Sequence, residues 1–199
     1  MSGRGRPSAT TGGPDKRSLI LDAARTLFSD KGFDRTTMRA VAATAGVDPA
    51  LIHHYFTNKN TLLMQALQPD LDVASTFDGI ADADSAGTEF ARRLFGYWEG
   101  NPAVRTRVIA LLRVAMTRED VATMLREFQV RSLTTALGPL TAPDRRPLRL
   151  GLVATQIFGV GLSRYIVQIP GVRDVSVGEL AGIVGPTLDR YLTGPLPAP

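Results

Sequence analysis

The sequence predicts an all-α protein of about nine helices, a compact three-helix N-terminal domain followed by a larger C-terminal helical domain. Three observations carry this. Apolar residues recur at spacings of three and four through most of the chain, and Gly or Pro punctuates the stripes at Gly32, Gly46, Gly100-Asn101-Pro102 and Gly138-Pro139. Ala42-x-x-x-Gly46-Val47, followed by Asp48-Pro49, describes two short helices joined by a tight turn. A chain of 199 residues that is 44% hydrophobic is also long enough to bury a proper core in one or two domains.

Residues 1–14 are rich in Gly, Ser, Thr and Pro and read as a flexible arm. Arg4 and Arg6 in it either enter a minor groove or belong to a solvated basic tail. From Asp15 to Lys31, Leu19, Ile20, Ala23, Ala24, Leu27 and Phe28 form one helical face, and Gly32 stops it. Phe33 then packs down. Thr36 or Thr37 caps a second helix, in which Met38, Val41, Ala42 and Ala45 face inward. Gly46 supplies the left-handed turn, Asp48 caps a third helix, and Pro49 opens it at the position where a missing N–H costs nothing. Ile52 and Phe56 anchor that helix. Asn58 caps a fourth, with Leu62, Leu63, Ala66 and Leu67 inward and Lys59 in its first turn. A cation there opposes the helix dipole, which suits a neighbouring phosphate.

Two readings of the helix-turn-helix are open on pattern alone: a hairpin inside a helical core, or a reading head for DNA. The third helix turns Pro49, Ala50, Leu51, His53, His54 and Tyr55 outward, a mixture of apolar groups for thymine methyls and polar tips for bases and phosphates. Charge points the same way. Residues 1–67 hold nine Lys and Arg against five Asp and Glu, whereas residues 68–199 hold fourteen of each, so the net charge of +4 sits beside the motif.

The segment LDAARTLFSDKGFDRTTMRAVAATAGVDPALIHHYFTNKNTLL resembles the DNA-binding domain of TetR-type (tetracycline-repressor-like) regulators over about a quarter of the chain, from Lys16 to Leu67. The resemblance implies that the third helix lies in the major groove. By position, it places Thr37, Tyr55 and Lys59 on the phosphate backbone and Arg39, Pro49, Ala50, Leu51 and His53 at base edges. Thr36, Asp48 and His54 complete the candidate DNA-binding set; His54 is as readily a core or solvent histidine as a contact. Many members carry Tyr where this chain has His53.

Beyond Pro69, an acidic stretch from Asp70 to Gly87 reads as the end of the fourth helix and a loop. Apolar stripes then follow: Phe90, Leu94, Tyr97 and Trp98; Val108, Leu111, Leu112 and Ala115; and Val121, Leu125, Phe128 and Leu133. Residues 143–167 form the longest helical pattern of this half, with Gly151, Ala154, Gly159, Gly161 and Ser163 along it. Each interior Gly costs about 1 kcal/mol against Ala, a cost most simply offset by close approach of another helix. A last helix spans Val177 to Leu192, and GPLPAP is a tail. The domains expected are therefore the arm 1–14, the reading head 15–67, a helical domain 68–194 and the tail 195–199.

The helical domain is expected to hold an apolar cavity and a dimer contact. Phe90, Leu94, Tyr97, Trp98, Leu111 and Met116 are candidate wall residues, with Met124, Phe128, Phe158 and Tyr165; Gln156, Arg107 and Arg113 are the candidate polar handles. The family's four-helix dimer contact implies Leu150, Ala154, Ile157, Gly161, Leu180, Ile183 and Leu188 at the twofold axis, intrachain packing being the other use for them. The resemblance then implies a repressor that reads a palindromic operator as a homodimer and is released by a small, largely apolar ligand, with the fourth helix as lever. A helical small-molecule carrier and a nonspecific DNA binder are the alternatives.

No enzyme is expected. The chain lacks Cys, has only two His, both in the third helix, and shows no phosphate-binding Gly-rich loop, so thiol chemistry, cysteine metal sites and disulfides are excluded and no cofactor or metal is called for. No run of roughly 18 apolar residues and no signal-peptide core is present, so the expected location is the cytoplasm.

Overall fold

The computed structural model describes residues 15–198, and the arm with Arg4 and Arg6 lies outside them. The described residues form eleven α-helices and no strand, in two compact units that divide after Ala66. The two helices beyond the nine expected are single turns, Val73–Thr76 and Pro170–Arg173. No described helix is long and apolar enough to cross a membrane.

The first unit is built by local signals. Helix α1 (Lys16–Arg35) is capped by Asp15 and bent at Gly32, whose φ of 74° takes the chain out of the helix before a last turn that carries Phe33 inward. The expected stop at Gly32 is thus a kink. Ile20, Ala24, Leu27 and Phe28 form its buried face. Helix α2 (Met38–Ala45) is capped by Thr37, whose hydroxyl accepts the Ala40 N–H at 3.1 Å. It ends at Gly46 (φ 65°), with the Val47 N–H bonded back to the Ala42 carbonyl at 3.1 Å, a Schellman closure. Helix α3 (Pro49–Tyr55) starts on the Asp48 carboxylate, which accepts from the Ala50 N–H at 2.7 Å. Helix α4 (Lys59–Leu67) starts on the Asn58 amide oxygen, which accepts from the Thr61 N–H at 2.9 Å. Ile52, Phe56, Leu62 and Leu63 are fully buried and fix the order of α2, α3 and α4.

The second unit begins with the acidic stretch, which is not an open loop. Its single-turn helix α5 (Val73–Thr76) and a 3-10 turn at Ile80–Asp82 press Phe77 and Ile80 into the core, Phe77 against Phe90 with ring centroids 4.7 Å apart. Five longer elements follow: α6 (Ala86–Gly100), α7 (Pro102–Ala115), α8 (Glu119–Leu137), α9 (Arg146–Gly161) and, after the single turn α10 (Pro170–Arg173), α11 (Val177–Thr193). Helix α9 runs on as a π-helical segment, Leu162–Ile166, closed by a bond from the Val167 N–H to the Leu162 carbonyl at 2.9 Å.

The close helix crossing expected of α9 occurs elsewhere. Helices α6 and α11 meet at Gly87 and Gly185: a Cβ on Gly87 would lie 2.5 Å from the Gly185 carbonyl oxygen, and one on Gly185 would overlap the Thr88 hydroxyl. Asp189 holds the same crossing by accepting the Gly87 N–H at 2.7 Å and the Ser85 hydroxyl. By contrast nothing lies within 4 Å of a Cβ built on Gly151 or Gly159. Arg149, which is buried, donates to the Tyr191 and Gly194 carbonyls at 2.9 and 3.0 Å and pairs with Asp144, tying the end of α11 to the start of α9.

Candidate functional site

The outward surface of the helix-turn-helix carries most of the residues chosen from sequence. Thr37, Arg39, Asp48, Pro49, Ala50, His53, His54 and Tyr55 are exposed, and Leu51 is half-buried. His54 and Tyr55 meet edge to face at 5.3 Å, so the two rings form one outward ridge at the end of α3. Asp48 is turned to its capping role.

Thr36 is a correction. Its side chain is 1% exposed, and its hydroxyl is directed to the carbonyls of Leu27 and Gly32 at 3.0 and 2.8 Å, so it locks the α1 kink and has no atom to offer DNA. The neighbouring threonines divide the work: Thr36 bonds inward and Thr37 caps α2. Lys59 is half-buried, its ammonium 4.2 Å from the centre of the Phe33 ring and 3.3 Å from the Asp34 carbonyl. Phe33 therefore aims the lysine, a role its apolar position in the sequence did not announce.

The second unit holds an apolar cavity of about 150 Å³. Of the wall expected from sequence, Phe90, Leu94, Trp98, Leu111, Phe128, Phe158 and Tyr165 line it. Tyr97, Arg107, Met116, Met124 and Gln156 do not. Met116 is 78% exposed in the turn between α7 and α8. Tyr97 and Arg107 lie instead with Asp70: Arg107 pairs with its carboxylate at 3.1 Å, and burial together with the Asp70 charge pushes the Tyr97 phenol up. Arg113 is exposed. The polar groups that do line the cavity are Arg105, Gln129, Ser132 and Tyr165. Spacing alone did not distinguish the first three, because on α7 and α8 neighbouring polar positions differ only in which way they point.

One end of the cavity is edged by a charged network. Glu99 accepts from the Arg164 Nε at 2.9 Å, the Tyr165 hydroxyl at 3.1 Å and the Arg105 Nη1 at 3.0 Å. Burial works to raise the Glu99 carboxyl, but the bonds from Arg164 and Tyr165 and the charges of Arg164 and Arg105 outweigh it and hold the group below its usual range. Burial, with the Glu99 charge beside it, pushes the Tyr165 phenol up to about 12. Arg164 and Tyr165 both come from the π-helical segment.

The expected dimer residues divide sharply. Leu150, Ile157, Leu180 and Leu188 are buried in the unit's own core, and Ala154, Ile157 and Gly161 line the cavity, Gly161 against Trp98. Leu150, Ile157, Leu180 and Leu188 are corrected, since intrachain packing uses them; Ala154 and Gly161 are half-buried. Ile183 is 64% exposed. The other side of α9 is open, with Leu148, Gly151, Thr155, Gly159 and Leu162 outward at spacings of three and four, and Gly182 and Pro186 flank Ile183 on α11.

Comparison with known proteins agrees with this architecture. Residues 20–66 match the family of bacterial regulatory proteins, tetR family, and residues 84–192 match the tetracyclin repressor-like C-terminal domain. The HTH-type transcriptional regulator BetI of Rhizobium meliloti (strain 1021) is 34% identical over 109 residues, which cover 55% of this chain and 46% of that protein. The chain spans about half the length of the curated relatives it matches. A solved TetR-family regulator from Streptomyces coelicolor A3 superposes with a TM-score of 0.71 at 28% identity, covering 96% of this chain and 99% of the other. The regulator FadR from Bacillus subtilis, solved in complex with stearoyl-CoA, shares the fold with a TM-score of 0.61 at 16% identity, over 90% of this chain and 99% of that one. With its C-terminal match alone covering more than half of its length, the chain belongs to the TetR family of bacterial transcriptional regulators.

Proposed function

We propose that this chain is a repressor that reads a palindromic operator as a homodimer and releases it when a small, largely apolar ligand enters the cavity of the second unit. The observation that carries the reading is the pairing of an outward, unspent α3 face in one unit with an apolar cavity in the other. In this reading Arg39, Pro49, Ala50, Leu51 and His53 meet base edges, while Thr37, Tyr55 and Lys59 meet phosphates. One such helix reads few base pairs; two on a twofold axis read half-sites about 34 to 36 Å apart.

For the dimer contact we assign the outer face of α9 and α11: Leu148, Gly151, Thr155, Gly159, Leu162, Gly182, Ile183 and Pro186. Its small residues leave a flat surface that a second copy can approach closely, which would offset the propensity cost of Gly151 and Gly159 that no intrachain neighbour offsets. Release requires only that the ligand bind more tightly to the state whose heads do not fit the operator.

The test is binding of the purified protein to DNA spanning its own upstream region, titrated with salt and challenged with unrelated DNA. Protection of one palindrome that survives competitor, and that Leu51→Glu abolishes while the dimer persists in sedimentation, is the expected result. Equal, weak binding to every fragment would replace this reading with a nonspecific binder or a carrier.

A further inference from the structure

We propose that the cavity takes a compact apolar monocarboxylate, its acid group held by Arg105 and its body among the aromatic and aliphatic walls. This deepens the reading of the cavity as the effector site and rests on it. Among the described residues no carboxylate lines the cavity; Glu99, bonded to the lining residues Arg105 and Tyr165, has one oxygen on Arg164 and Tyr165 and the other on Arg105. A cationic ligand would therefore enter without a counter-ion.

Two arginines face that single carboxylate, and they differ in what they have left. Arg164 gives its Nε to Glu99 and its Nη1 to the carbonyls of Val172 and Val175 at 2.7 and 2.8 Å, is buried, and does not line the cavity. Arg105 lines the cavity and bonds Glu99 through Nη1 alone, and no described residue accepts from its Nε or Nη2. Its guanidinium lies 5.4 Å from the centre of the Tyr165 ring, a second contact that, with Glu99, limits where the fork can swing. A restrained fork with unspent donors suits a planar carboxylate.

Two neutral groups share the cavity wall. Helices α7 and α8, joined by a short turn at Met116–Arg118, pack against each other, and Gln129 of α8 lines the cavity with Arg105 of α7. Ser132 follows one turn along α8. Both Gln129 and Ser132 line the cavity, and no described residue bonds the side chain of either. An acid oxygen not taken by Arg105 finds donors there.

Size sets the body. A cavity of about 150 Å³ matches one that holds a single benzene ring, so an acid of roughly six to eight carbons beyond the head group is the expected scale. Arg105 keeps 30% of its side chain exposed, which puts the acid at the mouth and the body inward.

The experiment uses the full chain and three probes with similar bodies: phenylacetate, phenylacetamide and phenethylamine. Trp98 is the chain's one tryptophan and lines the cavity, so its emission reports entry. Phenylacetate should bind at least tenfold more tightly than the amide, with the amine weakest. Arg105→Gln should bring the acid down to the level of the amide while leaving the amide unchanged, which shows the cavity intact; Gln129→Leu should weaken the acid several-fold with no loss of melting temperature. Equal binding of all three, preference for the amine, or an acid advantage that survives Arg105→Gln overturns the proposal and leaves the cavity reading standing. If no probe alters Trp98 emission while operator binding persists, the cavity reading falls with it.

Discussion

Replacing Gly185 by Ala should break the α6–α11 crossing, and the size of the loss can be worked from the contacts. A Cβ there meets the Thr88 Cα at 2.5 Å as well as the threonine side chain. The side chain can rotate away, but the Cα belongs to α6 and moves only if the helix does. Overpacking of this kind costs about 1 to 3 kcal/mol, and a backbone obstruction puts it near 3. The Ala gains about 1 kcal/mol of helix propensity, leaving a net loss of about 2 kcal/mol. Gly96→Ala is the matched control: it is exposed within α6, nothing lies within 4 Å of its Cβ, and it should gain about 1 kcal/mol. For a chain of 199 residues each kcal/mol moves the melting temperature by roughly 2 to 4 °C, so the two variants should separate by about 6 to 12 °C in circular-dichroism melts. Melting temperatures within about 2 °C of one another would refute the crossing as the rigid centre of this unit.

Three further outcomes are expected. Thr36→Val should destabilise the protein by about 1 to 3 kcal/mol in urea unfolding, because the Leu27 and Gly32 carbonyls lose the single hydroxyl proton they share, and should leave the operator sequence preference unchanged. Lys59→Met keeps a flexible chain over the Phe33 ring but removes the charge; the slope of log affinity against log salt should fall by about 2 for a dimer, one phosphate per protomer, with the preferred site unchanged. The Glu99 carboxyl titrates below its ordinary 4.5 in the folded chain, so its contribution is complete above that value and is lost as the pH falls through the depressed folded one. Urea midpoints measured from pH 6 downward should therefore drop more steeply for the wild type than for Glu99→Gln, and parallel curves would refute the network.

The helix-turn-helix was legible because each of its signals is local. Gly46 fixes its own φ, Asp48 and Pro49 start α3 within two residues, and Asn58 does the same for α4. Even there the choice between Thr36 and Thr37 was open, since either hydroxyl can cap and only the kink at Gly32 decides which is drawn inward. The C-terminal half was legible as helices and poorly as a site. Gly87 and Gly185 are far apart in sequence, and nothing near either announces the other. Gly151 and Gly159 gave the stronger local signal for a close crossing, yet within the chain they face open space. Phe128 and Gln129 are adjacent and both reach the cavity, while Met124, one turn earlier on the same helix, does not. The turns α5 and α10 were missed because four residues carry too little periodicity to register.

The π-helical segment at Leu162–Ile166 has a consequence for how this protein can change over time. A π turn is an α-helix holding one residue too many, so everything beyond it is rotated by about a hundred degrees from where an unbroken helix would put it. The outward stripe from Leu148 to Gly159 is set in one phase, and Tyr165 and Ile166 in another. A single deletion within the segment would restore one phase and swing a different pair of side chains toward the cavity without touching the stripe before it. Lineages that gain or lose this residue can therefore acquire new chemical tastes while keeping the outward face of α9 from Leu148 to Gly159.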